Sequence, residues 1–140
     1  MGEENIFSLI KRIHDRSTML QNRRLKTYGM TAVQWDALSY LIESDTVISQ
    51  KELEDRLGVT HSAAAGIVSR LEMKNLISTC IKEMDRRQKL LHPTSEGLAV
   101  YQELCRRGYQ FQRELLEGLS VEETRVLADL LERIYLNLGS

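Results

Sequence analysis

Asp85-Arg86-Arg87-Gln88-Lys89 sets three cations and a carboxylate in a run without an apolar side chain. Cations at that density make charge-assisted hydrogen bonds to phosphate, and an acid beside them can orient an arginine fork. Upstream, Thr60, His61, Ser62, Ser69, Arg70 and Lys74 supply hydroxyls, an imidazole and two further cations. Such groups suit hydrogen bonding to phosphate oxygens and base edges rather than the making of covalent bonds. His14, His61 and His92 fall in separate segments, and no Ser/His/Asp or Cys/His set, phosphate loop or metal-ligand cluster stands at an interpretable spacing. The sequence therefore predicts neither an enzyme nor a cofactor.

The elements that must position these groups can be read from local signals. Ser49 with Glu52 three residues on forms a capping box, which starts a helix. Leu53 and Leu57 lie on its inner face, and Gly58 can close it in a left-handed conformation. Thr60 caps the next helix, where Ala64, Ile67, Val68 and Leu71 make an inward stripe. The opposite side holds His61, Ser62, Ala65, Gly66, Ser69 and Arg70, small for a solvated face and suited to close approach to another surface. Asn75 tolerates the left-handed region that ends this helix. An alternating strand from Leu76 to Lys82 and a return strand at Leu90-Leu91-His92 follow, with Glu83 to Lys89 as a basic hairpin tip. Two helices, a tight turn and a hairpin in this order predict a winged helix-turn-helix, one helix entering the major groove and the wing arginines reaching phosphates or a narrow minor groove.

The sequence resembles the MarR family of bacterial transcriptional regulators. The likeness rests on Val68-Ser69-Arg70-Leu71-Glu72, Asn75-Leu76-Ile77, the wing Asp85-Arg86-Arg87, and Thr94-Ser95-Glu96-Gly97 opening the next helix. It extends along essentially the whole chain. Three positions depart from the family pattern: Pro93 before the Thr where Leu is common, Thr79 where an Arg often stands, and Glu54 where many such modules place Ala. The resemblance implies a mainly α fold with a small β-wing, the winged module (29–93) flanked by dimerisation helices at residues 1–28 and 94–140. It also implies a homodimer on double-stranded DNA and a small-molecule effector, with His14, Ser17, Trp35 and Tyr40 as candidate effector contacts and Tyr101 more remote. For all of these, ordinary packing is the competing expectation.

In the DNA-binding set, His61, Ser62 and Ser69 are expected at base edges or in the groove. Thr60, Arg70 and Lys74 are expected at phosphates or groove edges, Arg86, Arg87 and Lys89 on the wing, and Asp85 orienting the wing arginines. An ion pair to Glu72 or Glu96 competes for Arg70, and plain exposure competes for His61.

Length and charge agree with one domain whose DNA-binding charge is local. The chain has 140 residues and a net charge of −1. Residues 60–92 carry six Lys/Arg against three acids, 1–28 also six against three, and 29–59 two against six. That acidic stretch and the missing arginine at position 79 keep a protein-binding adaptor or antirepressor as the alternative. No apolar run is long enough for a membrane span and no apolar signal core opens the chain, so a soluble cytoplasmic protein is expected. Cys80 and Cys105 are expected as small buried or half-buried side chains rather than a disulfide or zinc site.

Outside the module the pattern is helical. Residues 5–26 carry Ile6, Ile10, Ile13, Ser17 and Leu20 on one stripe, a second helix begins near Thr31, and a long one runs from Thr94 to about Leu119. A further helix, capped by Ser120 and Glu123, carries Val126, Leu127, Leu130, Leu131, Ile134, Tyr135 and Leu138. That apolar face is too wide for a lone terminal helix, and a second copy of the chain is the simplest cover.

Overall fold

The computed structural model describes the backbone of residues 4–82 and 85–139 and the side chains of residues 5–82 and 88–139. Its elements run α1 (Glu4–Thr27), α2 (Ala32–Glu43), β1 (Ile48–Ser49), α3 (Gln50–Leu57), α4 (His61–Met73), β2 (Ile77–Lys82), β3 (Asp85–Pro93), α5 (Ser95–Leu115) and α6 (Val121–Leu136). Side-chain caps start five of these helices, α5 among them through Thr94, which accepts from Gly97 N. Thr31 accepts from Gln34 N, Ser49 from Glu52 N, Thr60 from Ala63 N and Ser120 from Glu123 N. The reciprocal half of the box forms at Thr31 and Ser120. At Ser49 the recorded bond is the single one from Glu52 N, and the backbone of Ser49 is also paired in the sheet, opposite Leu90. Gly58 closes α3 at φ +66, and Asn75 follows α4 at φ +59.

These boundaries bring four apolar faces together. Leu38 of α2, Leu53 of α3, Val68 and Leu71 of α4, Ile77 of β2 and Leu91 of β3 are the largest fully buried side chains. Leu25 of α1, Met30 and Leu104 of α5 join them in one cluster. At ~25 cal/mol per Å² of apolar surface, each such Leu contributes about 2 kcal/mol before entropy is counted. The three-stranded antiparallel sheet has the order β1-β3-β2, with Ile48 opposite Leu91 and Cys80 opposite Leu90.

The joint between the hairpin and α5 explains the Thr94-to-Gly97 signature. The Thr94 hydroxyl donates to Asn75 O at 2.7 Å and accepts from Gly97 N at 2.9 Å, while Thr94 N donates to Leu76 O at 3.0 Å. A Cβ at Gly97 would stand 2.0 Å from Leu76 O, so any other residue there forces the α5 start off the module.

Three expectations are corrected. The basic run expected in the hairpin tip is strand from Asp85 onward. Ile81 pairs with Lys89 and Lys82 with Asp85, so Arg86, Arg87 and Gln88 bulge out of the ladder between those pairs. The helix expected to reach Leu119 stops at Leu115, where i→i+3 bonds such as Leu116 N to Arg113 O take over and Gly118 adopts φ +90. Cys80 and Cys105 are both exposed; Cys80 lies on an open stretch of β2 with Sγ 3.4 Å from His92 Nε2.

Residues 1–104 form one compact unit and 105–140 a second, with α5 running from one into the other. The first helix thus packs with the winged module, through Leu25. Within the second unit α6 has no buried residue. Among the described residues no helix is long and apolar enough to cross a membrane.

Candidate nucleic-acid interface

Helix α4 is divided lengthwise. Ala64, Ile67, Val68 and Leu71 are buried, while His61, Ser62, Ala65, Ser69 and Arg70 are exposed and Gly66 is half-exposed. This is the division that the 3.6-residue period imposes once the inward stripe is fixed. A Cβ at Gly66 would meet nothing within 4 Å. The chain's own packing therefore does not require glycine there, although glycine in a helix interior costs about 0.5–1 kcal/mol relative to alanine. No acid stands in the first turn of α4, so its N-terminal N–H groups and dipole are not countered by a carboxylate of their own turn.

Apart from His61, and from Lys89, which stands exposed on β3, the side chains expected to read DNA fall into three groups. Ser62, Ser69 and Arg70 stand exposed on the outward face, and the Arg70 guanidinium makes no ion pair among the described residues. Glu72, the competing partner for Arg70, instead accepts the Thr79 hydroxyl at 2.6 Å, so Thr79 ties β2 to α4 where an arginine was expected. Thr60 and Lys74 are engaged within the chain. The Thr60 oxygen caps α4, and Lys74 Nζ donates to the Gly29 carbonyl and to Gln34 Oε1, the latter at 2.8 Å. That ammonium ties the end of α4 to the start of α2. The side chains of Asp85, Arg86 and Arg87, including the expected Asp85 pairing, lie outside the described residues.

His61 has a partner that the sequence reading missed. Its Nδ1 lies 2.5 Å from Glu54 Oε1 across the α3–α4 turn, with the Glu54 side chain 7% exposed and the His61 side chain 82% exposed. Lys51 Nζ stands 3.8 Å from the other Glu54 oxygen and 3.4 Å from Asp55 Oδ1. The acidic stretch before α4 is therefore partly neutralised by its own neighbours. Lys51 and Glu54 of α3, His61 and Ala65 of α4, and Ile81 and Lys89 of the hairpin line a cleft of about 570 Å³ beside the outward face. The signal for this was a carboxylate in α3 where the resemblance expected a small residue.

The candidate effector residues do not share one environment. His14 is exposed on α1 and Ser17 half-buried. Trp35 stacks on Tyr101 at 5.5 Å between ring centroids, and the Tyr101 hydroxyl donates to Glu43 Oε1 at 2.9 Å. Tyr40 carries the Arg56 guanidinium over its ring at 5.4 Å. Trp35, Tyr40 and Tyr101 all pack against the core.

Comparison with known proteins agrees with this geometry. Residues 28–88 match the model of the MarR family. The chain is 29% identical over 119 residues to the uncharacterized HTH-type transcriptional regulator YybA of Bacillus subtilis, covering 85% of this chain and 79% of that one. Its fold is similar to that of PcaV, a transcriptional regulator from Streptomyces coelicolor, at a TM-score of 0.71 and 26% identity, covering 91% and 93% of the two chains. It is also similar to a mutant of Staphylococcus aureus MepR bound to an oligodeoxyribonucleotide, at a TM-score of 0.78 and 21% identity, covering 96% and 98%. The chain thus matches the MarR family model over most of its winged module and shares its fold along nearly the whole length with solved transcriptional regulators.

Proposed function

We propose that this chain is a MarR-family transcriptional regulator that binds a pseudo-palindromic operator as a homodimer, acts as a repressor, and is released by a small-molecule effector. The observation that carries the DNA-binding part is Gly66. It sits mid-helix on the outward face of α4 among exposed small and polar side chains, where a missing side chain lets another surface come close to the helix. Ser62, Ala65 and Ser69 keep the same face low, and His61 and Arg70 give it polar reach. Two such helices related by a two-fold axis read half-sites about 10 bp apart. The wing residues Arg86, Arg87 and Lys89 supply phosphate or minor-groove contacts, with Arg87 the main one and Asp85 orienting it.

Support for the homodimer comes from apolar side chains that each unit leaves exposed. Residues 1–104 expose Ile6, Phe7, Leu9 and Ile13 along α1, and residues 105–140 expose the Val126, Leu127, Leu130, Leu131 and Ile134 stripe of α6. The effector arm rests on the likeness to known regulators, with the half-buried Ser17, Trp35 and Tyr40 as its candidate contacts. Exposed His14 would be its outermost contact.

A fluorescence anisotropy titration against DNA from upstream of the protein's own gene, repeated over a series of salt concentrations, tests the reading. A saturable, salt-sensitive complex with one dimer per site is expected, and Arg87→Ala should weaken it by about 1–3 kcal/mol. Absence of any saturable complex, with this DNA and with a random-sequence library, overturns it in favour of a protein-binding adaptor.

A further inference from the structure

We propose that Glu54 is a positioning residue that fixes which ring nitrogen His61 presents to a base edge, so that α3 and α4 read DNA as one unit; this rests on the DNA-binding reading above. Burying a carboxylate is costly unless its oxygens are satisfied, and an apolar side chain would fill the same place without that cost. Both Glu54 oxygens face partners. Oε1 lies 2.5 Å from His61 Nδ1, and Oε2 lies 3.8 Å from Lys51 Nζ. An ionised carboxylate only accepts, so the proton between it and the imidazole belongs to Nδ1. The ring is then held in one orientation with Nε2 as the nitrogen left for an outside partner.

Stability does not account for the arrangement. With the His61 side chain 82% exposed, the pair is half solvated, and such pairs contribute little to folding. What a buried carboxylate adds to an exposed ring is aim. His61 is also the first residue of α4, at the end of a recognition helix that reaches base edges. A ring free to flip offers either nitrogen, whereas a held ring offers one from one place, which is the condition for discriminating between base pairs.

The test uses the full chain and double-stranded DNA selected by the wild-type protein from a random library, with every single base-pair variant of that site then measured. His61→Ala should flatten the preference at one base pair per half-site by about tenfold. Glu54→Leu should flatten the same position, and adding it to His61→Ala should change nothing further. Glu54→Gln, whose amide oxygen still accepts from Nδ1–H, should keep the preference. A second readout needs no variant: long-range ¹⁵N NMR of the free wild-type protein should find His61 protonated on Nδ1. The proposal falls if Glu54→Leu lowers affinity evenly across all sequences, if its effect adds to that of His61→Ala, or if Nδ1 is the unprotonated nitrogen. A wild-type protein that selects no sequence removes the DNA-binding reading itself, whereas selection with an unmoved His61-dependent position in Glu54→Leu removes this proposal alone.

Discussion

Helices α4 and α6 are both capped by a hydroxyl and both amphipathic, yet the chain completes only one of them. In α4 the inward stripe of Ala64, Ile67, Val68 and Leu71 is buried, and what faces out is small and polar. In α6 the comparable stripe of Val126, Leu127, Leu130, Leu131 and Ile134 remains 39–46% exposed. Amphipathicity states that a face needs covering but not by what. The outer face of α4 suits a polar surface and the exposed stripe of α6 an apolar one.

The sharpest way to break that contrast is to delete the same side chain from both helices. Leu71→Ala removes a fully buried Leu, and should lower stability by about 3 kcal/mol at every protein concentration. Leu130→Ala should leave the protomer's own stability almost unchanged and lower the melting temperature through weaker association, so that the loss varies with concentration. Thermal melts over a hundredfold range of concentration distinguish the two. A concentration-independent loss at Leu130 as large as that at Leu71 would mean that the protomer itself covers α6.

A second contrast lies within α5, which carries one glycine in each unit. At Gly97 an added methyl meets the Leu76 carbonyl, and Gly97→Ala should cost about 2 kcal/mol by pushing the helix start away from Thr94 and Asn75. At Gly108 it meets nothing within 4 Å, and Gly108→Ala should stabilise the protomer by about 0.5–1 kcal/mol through helix propensity. Chemical denaturation at low concentration measures both. A stabilising Gly97→Ala would remove the close approach as the reason for the Thr94-to-Gly97 signature.

Much of this architecture was legible because it is local. Thr31, Ser49, Thr60 and Ser120 announce helix starts within four residues, Gly58 and Asn75 announce ends, and the inward stripe of α4 follows from its period. What escaped depends on partners distant in sequence. The two-residue strand β1 exists only because Leu90 and Leu91 return beside it, and the β3 bulge only because Lys82 pairs with Asp85. Lys74 reads as a free cation until the fold places Gly29 and Gln34 within its reach. The Glu54–His61 pair is hidden for the same reason, since its geometry is set by the turn at Gly58 rather than by either helix. Residue types thus mark the outward surface of α4, while the fold decides which of its polar groups are already occupied.

The smallest expected effect returns to the two caps. Helix α6 opens with Glu122 and Glu123, and the Glu123 carboxylate accepts from Ser120 N at 2.9 Å; α4 has Ala63 at the matching position and no acid in its first turn. The bonds from the Ser120 backbone and then its hydroxyl hold the Glu123 carboxyl below its ordinary value of 4.5. Because the folded value is the lower one, the cap's contribution is fully present above the ordinary glutamate range and is lost as pH falls through the folded value. Carboxyl NMR of Glu123 should show titration below the ordinary range, and Glu123→Gln should remove that part of the acid-dependent fraying of α6. The Thr60 cap of α4 has Ala63 in place of a carboxylate, so the cap bond itself should show no such component. The first turn of α4 holds no carboxylate of its own, whereas α6 spends its N-terminal N–H groups on a glutamate; an ordinary titration at Glu123 would erase this distinction between the two helix starts.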